Sequence, residues 1–277
     1  MNTEISIIIP TKNGEKTAKT CLNAIAAQET DRTFEILIID SGSTDKTVEI
    51  AKTFNKIKLL QILPEEFGHG KTRNYGAKHA VGKYLVFLNQ DAIPYNNNWL
   101  EMLISGLEKD SSNAAAFSKH IPNEDCYLYM KRDLNKPMLF STVSAAIRRD
   151  IWEKYNFDDK ITIAEDLEWA RKIFKAGFKV NFVPESMVLH SHNYSFIDLF
   201  RIKYLVGKET NRTVYKGKRA LRPLITALVG MIFKIVGDII YITLQQISFK
   251  RKLKEYFFAI LSRVVSFSGK FIGEVSG

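Results

Sequence analysis

The run Tyr84-Leu85-Val86-Phe87-Leu88, followed at once by Asn89-Gln90-Asp91, constrains the fold more than any other stretch. An unbroken apolar run of this kind fits a strand buried on both faces, as in a parallel sheet. In open α/β sheets, ligands bind outside the carboxyl ends of the strands, so the polar triplet falls where a ligand belongs. In extended backbone Asn89 and Asp91 project to one side of Gln90. Oxygen-bearing side chains there suit a hard divalent cation holding a diphosphate. A strand ending in a plain polar turn would use the same residues.

The chain before this run has the alternation that a parallel sheet needs. Apolar runs at 5–9, 34–39 and 57–63 read as strands. Ala18, Cys21, Leu22 and Ile25, and later Val48, Ile50 and Ala51, recur at helical spacing. A glycine-containing segment at 67–74 leads into a third helix through Tyr75, Ala77 and Ala80. Strand and helix thus alternate up to residue 88, which predicts an α/β layer with a mainly parallel sheet. Beyond it, 99–107 reads as a helix, 114–119 as a strand, a short helix follows Asp150, a helix through Ala170, Ile173 and Phe174 stops at Gly177, and 179–183 is a strand. Residues 128–140 carry no clear period. Neither a Gly-x-Gly-x-x-Gly after the first strand nor a P-loop is present, which excludes NAD or ATP held in those ways.

The candidate chemical residues each have a structural and a functional reading. Asp40 ends a strand and either caps a turn or accepts a hydrogen bond from a nucleobase. Arg73 and Asn74 open a helix, as a surface cap or as a phosphate site. Glu165 and Asp166 begin a helix, where acids stabilise the helix dipole, or one of them serves as a general base. His190 and His192 bracket a serine, and one imidazole could complete a metal site begun by Asp91. The two cysteines, Cys21 and Cys126, make neither a disulfide framework nor a zinc site. The start of the chain has no basic-then-apolar leader, so the cytoplasm is the expected compartment.

Taken together, Pro10-Thr11-Lys12-Asn13, Asp40-Ser41-Gly42-Ser43-Thr44-Asp45, Thr72-Arg73-Asn74, Asn89-Gln90-Asp91, Glu165-Asp166 and His190 resemble the family-2 inverting glycosyltransferases over about residues 3 to 195. The resemblance implies the GT-A nucleotide-diphospho-sugar transferase fold, a Rossmann-like mixed, mainly parallel sheet flanked by helices. It implies that Pro10, Thr11, Asn13, Asp40, Arg73, Asn74 and Gln90 bind the donor nucleotide. His69, Glu165 and Trp169 would lie near donor or acceptor. Asp91, with His190 or alternatively His192, would hold Mg²⁺ or Mn²⁺, and Asp166 would be the catalytic base. Asn89 departs from the usual Asp-x-Asp, and Ser41 from a frequent second Asp. Asn89 also leaves open an inactive sugar-nucleotide-binding partner of an assembly complex. The segments 67–74 and 89–92 look most like bacterial rhamnosyltransferases, which implies dTDP-L-rhamnose as donor and a lipid-linked saccharide acceptor in surface polysaccharide synthesis. A UDP-sugar is the alternative donor.

The last part of the chain has a different character. Of the 277 residues, 1–196 hold 25 Lys+Arg against 25 Asp+Glu, whereas 197–277 hold 15 against 5, so the whole net charge of +10 lies there. The expected division is a catalytic domain at 1–196 and a basic amphipathic helical extension at 197–277. Within 224–249, Gly230, Lys234, Gly237, Asp238, Tyr241, Gln245 and Ser248 fall on one helical stripe, and the rest is mostly apolar. Lys234 and Asp238 divide the run into charge-free pieces too short for a membrane span. Flanking basic residues, Lys216, Lys218, Arg219 and Arg222 before it and Lys250, Arg251 and Lys252 after it, suit a helix lying on an anionic membrane surface. Packing on the catalytic domain, a homodimer contact or a true span are the other uses. No nucleic-acid-reading motif accompanies the charge, so nucleic acid is not an expected partner. The implied location is the inner face of the plasma membrane, peripherally bound.

Overall fold

In the computed structural model the described residues are 3–55, 57–134, 138–215 and 222–276, with the side chains of 214–215 and 222–225 outside the description. The chain forms two compact units, Met1–Ile121 with Met138–His190, and Pro122–Pro137 with Ser191–Gly277. The second unit therefore includes an internal segment that the expected boundary at 196 had left in the first.

The first unit runs β1 (Ile5–Thr11), α1 (Glu15–Ala26), β2 (Phe34–Asp40), α2 (Thr47–Lys52), β3 (Ile57–Gln61), a 3-10 turn (Pro64–Glu66), α3 (His69–His79), β4 (Tyr84–Leu88), β5 (Ile93–Pro94), α4 (Trp99–Glu108) and β6 (Asn113–Ile121). After α5 (Leu128–Leu134), which belongs to the second unit, come β7 (Ser144–Arg148), α6 (Arg149–Lys154), α7 (Glu165–Lys175) and β8 (Lys179–Leu189). The sheet order is β3-β2-β1-β4-β7-β6-β8-β5. β1 pairs in parallel with β2 and β4, β2 with β3, and β6 with β8, while β7 is antiparallel to β4 and β6 and β5 is antiparallel to β8. The expected mixed, mainly parallel α/β sheet is what forms.

Side-chain alternation divides the core between the sheet's faces. Ile5, Ile7, Ile9, Tyr84, Val86 and Leu88 pack with α1 and α4 through Cys21, Ile25, Trp99 and Leu103. Ile8, Leu37, Ile39, Leu85 and Phe87 pack with α3 and α7 through Ala77, Trp169 and Ile173. β4 is buried at every residue, as its unbroken apolar run requires. Helix α3 lies close on the sheet because Gly76 has no side chain: a Cβ there would come within 2.5 Å of Ile8 Cγ2 and 2.8 Å of Ile39 Cδ1.

The second unit contains α5, α8 (Phe196–Thr210), a π-helical turn (Asn211–Tyr215), α9 (Arg222–Leu244) and α10 (Phe249–Ser276). Ser195 caps α8 by accepting the Asp198 N–H at 3.1 Å. Glycines on α10 let its backbone meet that of α8: a Cβ on Gly269 would lie 2.7 Å from the Phe200 carbonyl oxygen, and Gly273 meets the Tyr204 carbonyl in the same way. The expected stripe on α9 exists, but it faces the protein. Asp238 is fully buried and accepts from Arg132 Nη1 at 2.7 Å and from Arg263 Nε at 2.7 Å. Gly237 abuts the Arg132 guanidinium. The apolar side is turned outward, with Ile232, Phe233, Val236, Ile240 and Leu244 exposed. Residues 226–244 form the one helix among the described residues that is long and apolar enough to cross a membrane. Of the two charges taken to interrupt it, Asp238 is buried on its inward stripe and Lys234 is exposed. Lys216, Lys218 and Arg219 lie outside the described residues, as does the Arg222 side chain; Lys250 and Arg251 are exposed, and Lys252 reaches the Thr243 carbonyl at 2.7 Å.

Gly76→Ala should lower stability by about 1–3 kcal/mol, the usual cost of forcing a group into a filled core. Urea denaturation measures it; an unchanged midpoint would mean that α3 can shift off the sheet freely.

Candidate active site

The carboxyl ends of β1, β2, β4, β6 and β8 share one edge of the sheet, and antiparallel β7 begins there. The loops leaving this edge carry the motif residues. Thr11 is in register with Asp40, so the loops after β1 and β2 leave side by side. They are then laced together. The Asp40 carboxylate is buried, accepts the N–H groups of Gly42 and Ser43 at 3.1 Å each, and accepts hydroxyls from Ser43 and Thr11 at 2.5 and 3.4 Å. Asn13, in the left-handed region at φ 47°, donates its N–H to Ser43 Oγ at 2.9 Å and accepts the Thr44 N–H at 2.8 Å. Asparagine tolerates that backbone better than most residues. The Gln90 amide pairs with both the N–H and the C=O of Lys12 at 3.0 Å, over Gly14, where any side chain would strike that amide. Pro10 is half-buried and Thr11 buried beneath these loops. Asp40, Asn13 and Gln90 were expected to address the nucleotide directly. Their polar atoms hold together the loops that would form its cradle, each bonding backbone groups of those loops.

Arg73 and Asn74 are also internal. The Arg73 guanidinium is buried, donating to Glu165 Oε1 at 2.6 Å and to Asn89 Oδ1 at 2.8 Å. Asn74 donates to the Phe157 carbonyl and to Asp159 Oδ1 at 2.7 Å each, and accepts from Trp152 Nε1 and the Phe157 N–H at 3.0 and 3.2 Å. Both side chains, expected at the donor site, are engaged with protein groups. Their shared task is to bind α3 to the segment before α7. Trp169, expected near donor or acceptor, is fully buried, 5.1 Å from the Phe140 ring and 6.0 Å from Phe157, and is a core residue. His69 is exposed at the start of α3, edge-on to Phe67.

The two acids that open α7 part ways. Ala164, just before them, adopts the left-handed conformation at φ 64°, a backbone state that non-glycine residues enter at a cost of about 1–2 kcal/mol. That turn sends Glu165 inward to Arg73 and leaves Asp166 half-buried at the edge. Asp166 Oδ1 accepts the Leu167 N–H at 2.8 Å and Oδ2 the Thr142 N–H at 3.4 Å. Burial, followed by the charge of Glu165, pushes its carboxyl up to about 6, against the opposing pull of Arg73. A carboxylate with that affinity for protons suits proton abstraction near neutral pH.

Asp91 Oδ1 lies 3.6 Å from His190 Nε2. A carboxylate oxygen and an imidazole nitrogen at this spacing form a donor pair that fits Mn²⁺ or another borderline divalent ion. The His190 N–H donates to the Ile121 carbonyl at 2.9 Å, which fixes the strand end that carries it. His192, the alternate, belongs to the second unit. His120, not foreseen, stands 5.4 Å from the His190 ring, buried, with its Nε2 unpartnered. Thr142, also not foreseen, reaches Asp166 through its backbone. No local pattern marks either one; only strand neighbours separated far in sequence reveal them.

Comparison with known proteins bears on this geometry. Residues 6–167 match the family model of glycosyl transferase family 2, and residues 112–267 match that of glycosyl transferase family group 2. The O-antigen chain rhamnosyltransferase WbaN of Salmonella anatum is 33% identical over 213 residues, 69% of this chain and 67% of that protein. The O-antigen chain rhamnosyltransferase RfbN of Salmonella typhimurium is 32% identical over 214 residues, 69% of this chain and 68% of its own length. Among solved structures, the mannosyltransferase PcManGT from Pyrobaculum calidifontis, in complex with GDP-Man and Mn²⁺, superposes with a TM-score of 0.69 at 16% identity, over 99% of this chain and 88% of that one. At that identity the likeness speaks to the fold, and the fold is GT-A.

Arg73→Gln should cost about 3–5 kcal/mol in urea denaturation, because it leaves the Glu165 charge buried without its partner. The pair Arg73→Leu with Glu165→Leu should recover most of that loss, and a double variant no more stable than the single one would show that the pair itself matters little. Asp166 is expected to behave in the opposite way. Its folded-state pKa is raised, so the protonated form favours folding, and this contribution is lost as pH rises through about 6. Asp166→Asn should therefore stabilise the protein at pH 8 by about 1–2 kcal/mol, after allowance for partial exposure. A destabilised Asp166→Asn protein at pH 8 would contradict the raised value.

Proposed function

The chain belongs to glycosyl transferase family 2, and from that premise we propose that it transfers L-rhamnose from dTDP-L-rhamnose, with inversion, to a lipid-linked saccharide acceptor of a bacterial surface polysaccharide. The observation that carries the transfer chemistry is the separation of roles in Glu165-Asp166: one acid is neutralised by Arg73, and its neighbour keeps a half-buried, proton-hungry carboxylate at the ligand edge. The rhamnose donor is supported by the two O-antigen rhamnosyltransferases, at 33% and 32% identity.

The acceptor hydroxyl would give its proton to Asp166 as its oxygen forms a bond to the anomeric carbon. The bond from that carbon to the donor diphosphate breaks, and the diphosphate keeps the electron pair. Asp91 and His190 would hold a divalent ion, Mn²⁺ or Mg²⁺, which when bound neutralises charge on a leaving diphosphate. The Thr142 N–H orients one oxygen of Asp166, leaving the acid's accepting geometry set before substrate arrives. The laced loops at 11–15 and 40–47 would form the cradle for the nucleotide. The outward apolar side of α9 supports a unit that meets a membrane, which would bring a lipid-linked acceptor and the enzyme to the same inner-leaflet surface. An exposed face of this size also accommodates a second copy of the chain.

The test is a donor screen on the purified full chain, reading nucleotide release from dTDP-, UDP- and GDP-sugars with Mn²⁺ and acceptor lipid extract. Release should be greatest from dTDP-L-rhamnose, and preferred use of a UDP-hexose would overturn the rhamnose assignment alone. Asp166→Asn should lose transfer by about 10²-fold or more while retaining donor binding, and the wild-type rate should fall as pH drops below about 6 because the base becomes protonated. Near-normal turnover by Asp166→Asn would sink the base assignment. Asp91→Ala should remove the Mn²⁺ dependence of donor affinity in calorimetry.

A further inference from the structure

Within the second unit, α8, α9 and α10 line an open cavity of about 780 Å³ that the transfer chemistry does not use. Its existence follows from unequal packing. The glycines Gly207, Gly269 and Gly273 draw α8 and α10 into backbone contact, whereas α9 is held lower down, at Asp238, by Arg132 and Arg263. In the amino-terminal half of α9, Thr226, Gly230 and Met231 line the space. Gly230 lines it, and a Cβ at that position would meet nothing within 4 Å. Glycine inside a helix costs roughly 0.5–1 kcal/mol relative to alanine, and here no close packing demands it; what it provides is room.

The lining has two characters. Lys203 of α8, Lys234 of α9 and Lys270 of α10 converge on it from different helices, together with Arg263. The acids present are Asp133, already bonded to Arg263 at 2.5 Å, and Glu274, 3.7 Å from Lys270. Four cations face two carboxylates, a lining charge of +4 − 2 = +2. The crowding is felt at Lys203, whose ammonium is driven below its usual range by burial and then by Lys234, with Lys270 and Arg263 adding to it and Asp133 opposing. Between these charges the walls are apolar, formed by Val206, Met231, Phe267 and Phe271. A cavity this large falls within the range that encloses a small-molecule ligand. Surplus positive charge calls for an anion, apolar walls call for hydrocarbon, and the outward side of α9, with Val229 and Phe233 exposed, continues the apolar surface beyond the cavity.

We propose that this cavity is a lipid-phosphate site, in which Lys203, Lys234 and Lys270 take the phosphate of an amphiphile and Met231, Phe267 and Phe271 take the first part of its chain. The site rests on the proposed transferase reading only for its purpose: a phosphate-bearing isoprenoid carrier and a membrane phospholipid present the same chemistry here. The charge surplus of the tail, taken from sequence as a diffuse membrane-facing feature, thus has a local focus on three helices.

Isothermal calorimetry on the full chain tests it, with farnesyl phosphate and a short-chain phosphatidylglycerol as the two lipid-phosphate probes, and farnesol and inorganic phosphate as their halves. Either lipid phosphate should bind, and the tighter of the two identifies the source. Farnesol and inorganic phosphate should each bind at least about tenfold more weakly, a difference of about 1.4 kcal/mol. The double change Lys203→Gln with Lys270→Gln should weaken binding about tenfold or more by the same conversion. Gly230→Leu, which adds no charge and meets open space, should do the same by filling the cavity while preserving the thermal midpoint. Equal binding of farnesol, equal binding of inorganic phosphate, or wild-type affinity in Gly230→Leu would each overturn the site. Donor-induced thermal shift in the same samples reports separately on the transferase: donor binding without lipid-phosphate binding rejects the cavity and keeps the transferase, and the reverse result rejects the transferase alone.

Discussion

The buried ion pair between Arg73 and Glu165 is the interaction on which the site depends. A guanidinium and a carboxylate taken out of water are costly unless each completes its bonds. Arg73 meets most of this demand with Glu165 from the start of α7, Asn89 from the end of β4 and the His69 carbonyl, while its buried Nε is left without a partner. Three elements far apart in sequence are thereby fixed at one point, and the two acids assigned to chemistry, Asp91 and Asp166, are each carried by a neighbour of a residue that Arg73 holds. The charge count also gives Asn89 a physical reason. One buried cation is already balanced by Glu165, and a second carboxylate at position 89 would leave a net negative charge at a half-buried place.

The contrast between Glu165 and Asp166 shows how little local identity decides. Both are acids in the first turn of one helix, where the dipole favours either. The left-handed turn at Ala164 rotates the first into the protein and the second toward the sheet edge. Burial without a cation of its own then raises Asp166, while its neighbour spends the only guanidinium available. Strain of this kind persists where the surrounding packing over-determines it, and here α3, α7 and the 157–159 segment supply that packing through Asn74 and Gly70.

The second unit follows a different rule. Its helices place charge and glycine inward and much of their apolar surface outward. In water that is the reverse of the usual burial pattern; inside, Asp238, Arg132, Asp133 and Arg263 satisfy one another beside a small apolar cluster of Leu128, Tyr129, Ile242 and Ala259. Such an arrangement is suited to an apolar exterior. It explains why the same helix can be read from sequence as amphipathic and found in the structure with its polar stripe on the protein side.

By itself the sequence determined the sheet, its strand and helix alternation, the buried β4, and the family to which six short motifs belong, because side-chain period and strand-end position are local properties. It also placed Asp91 just after β4 and His190 just after β8, as the structure has them. What it could not determine was which polar residues would be consumed by structure. Asp40, Asn13, Gln90, Arg73 and Asn74 look like ligand contacts in a motif, yet each also bonds a segment remote in sequence, as in Thr11 to Asp40, 29 positions apart, and Arg73 to Glu165, 92 apart. The start of the unpatterned stretch, residues 128–134, likewise joined the helical tail through contacts remote in sequence, such as Leu128 to Glu255. A hydrogen-bonding group takes the nearest partner that burial allows, and only the tertiary structure decides which partner that is.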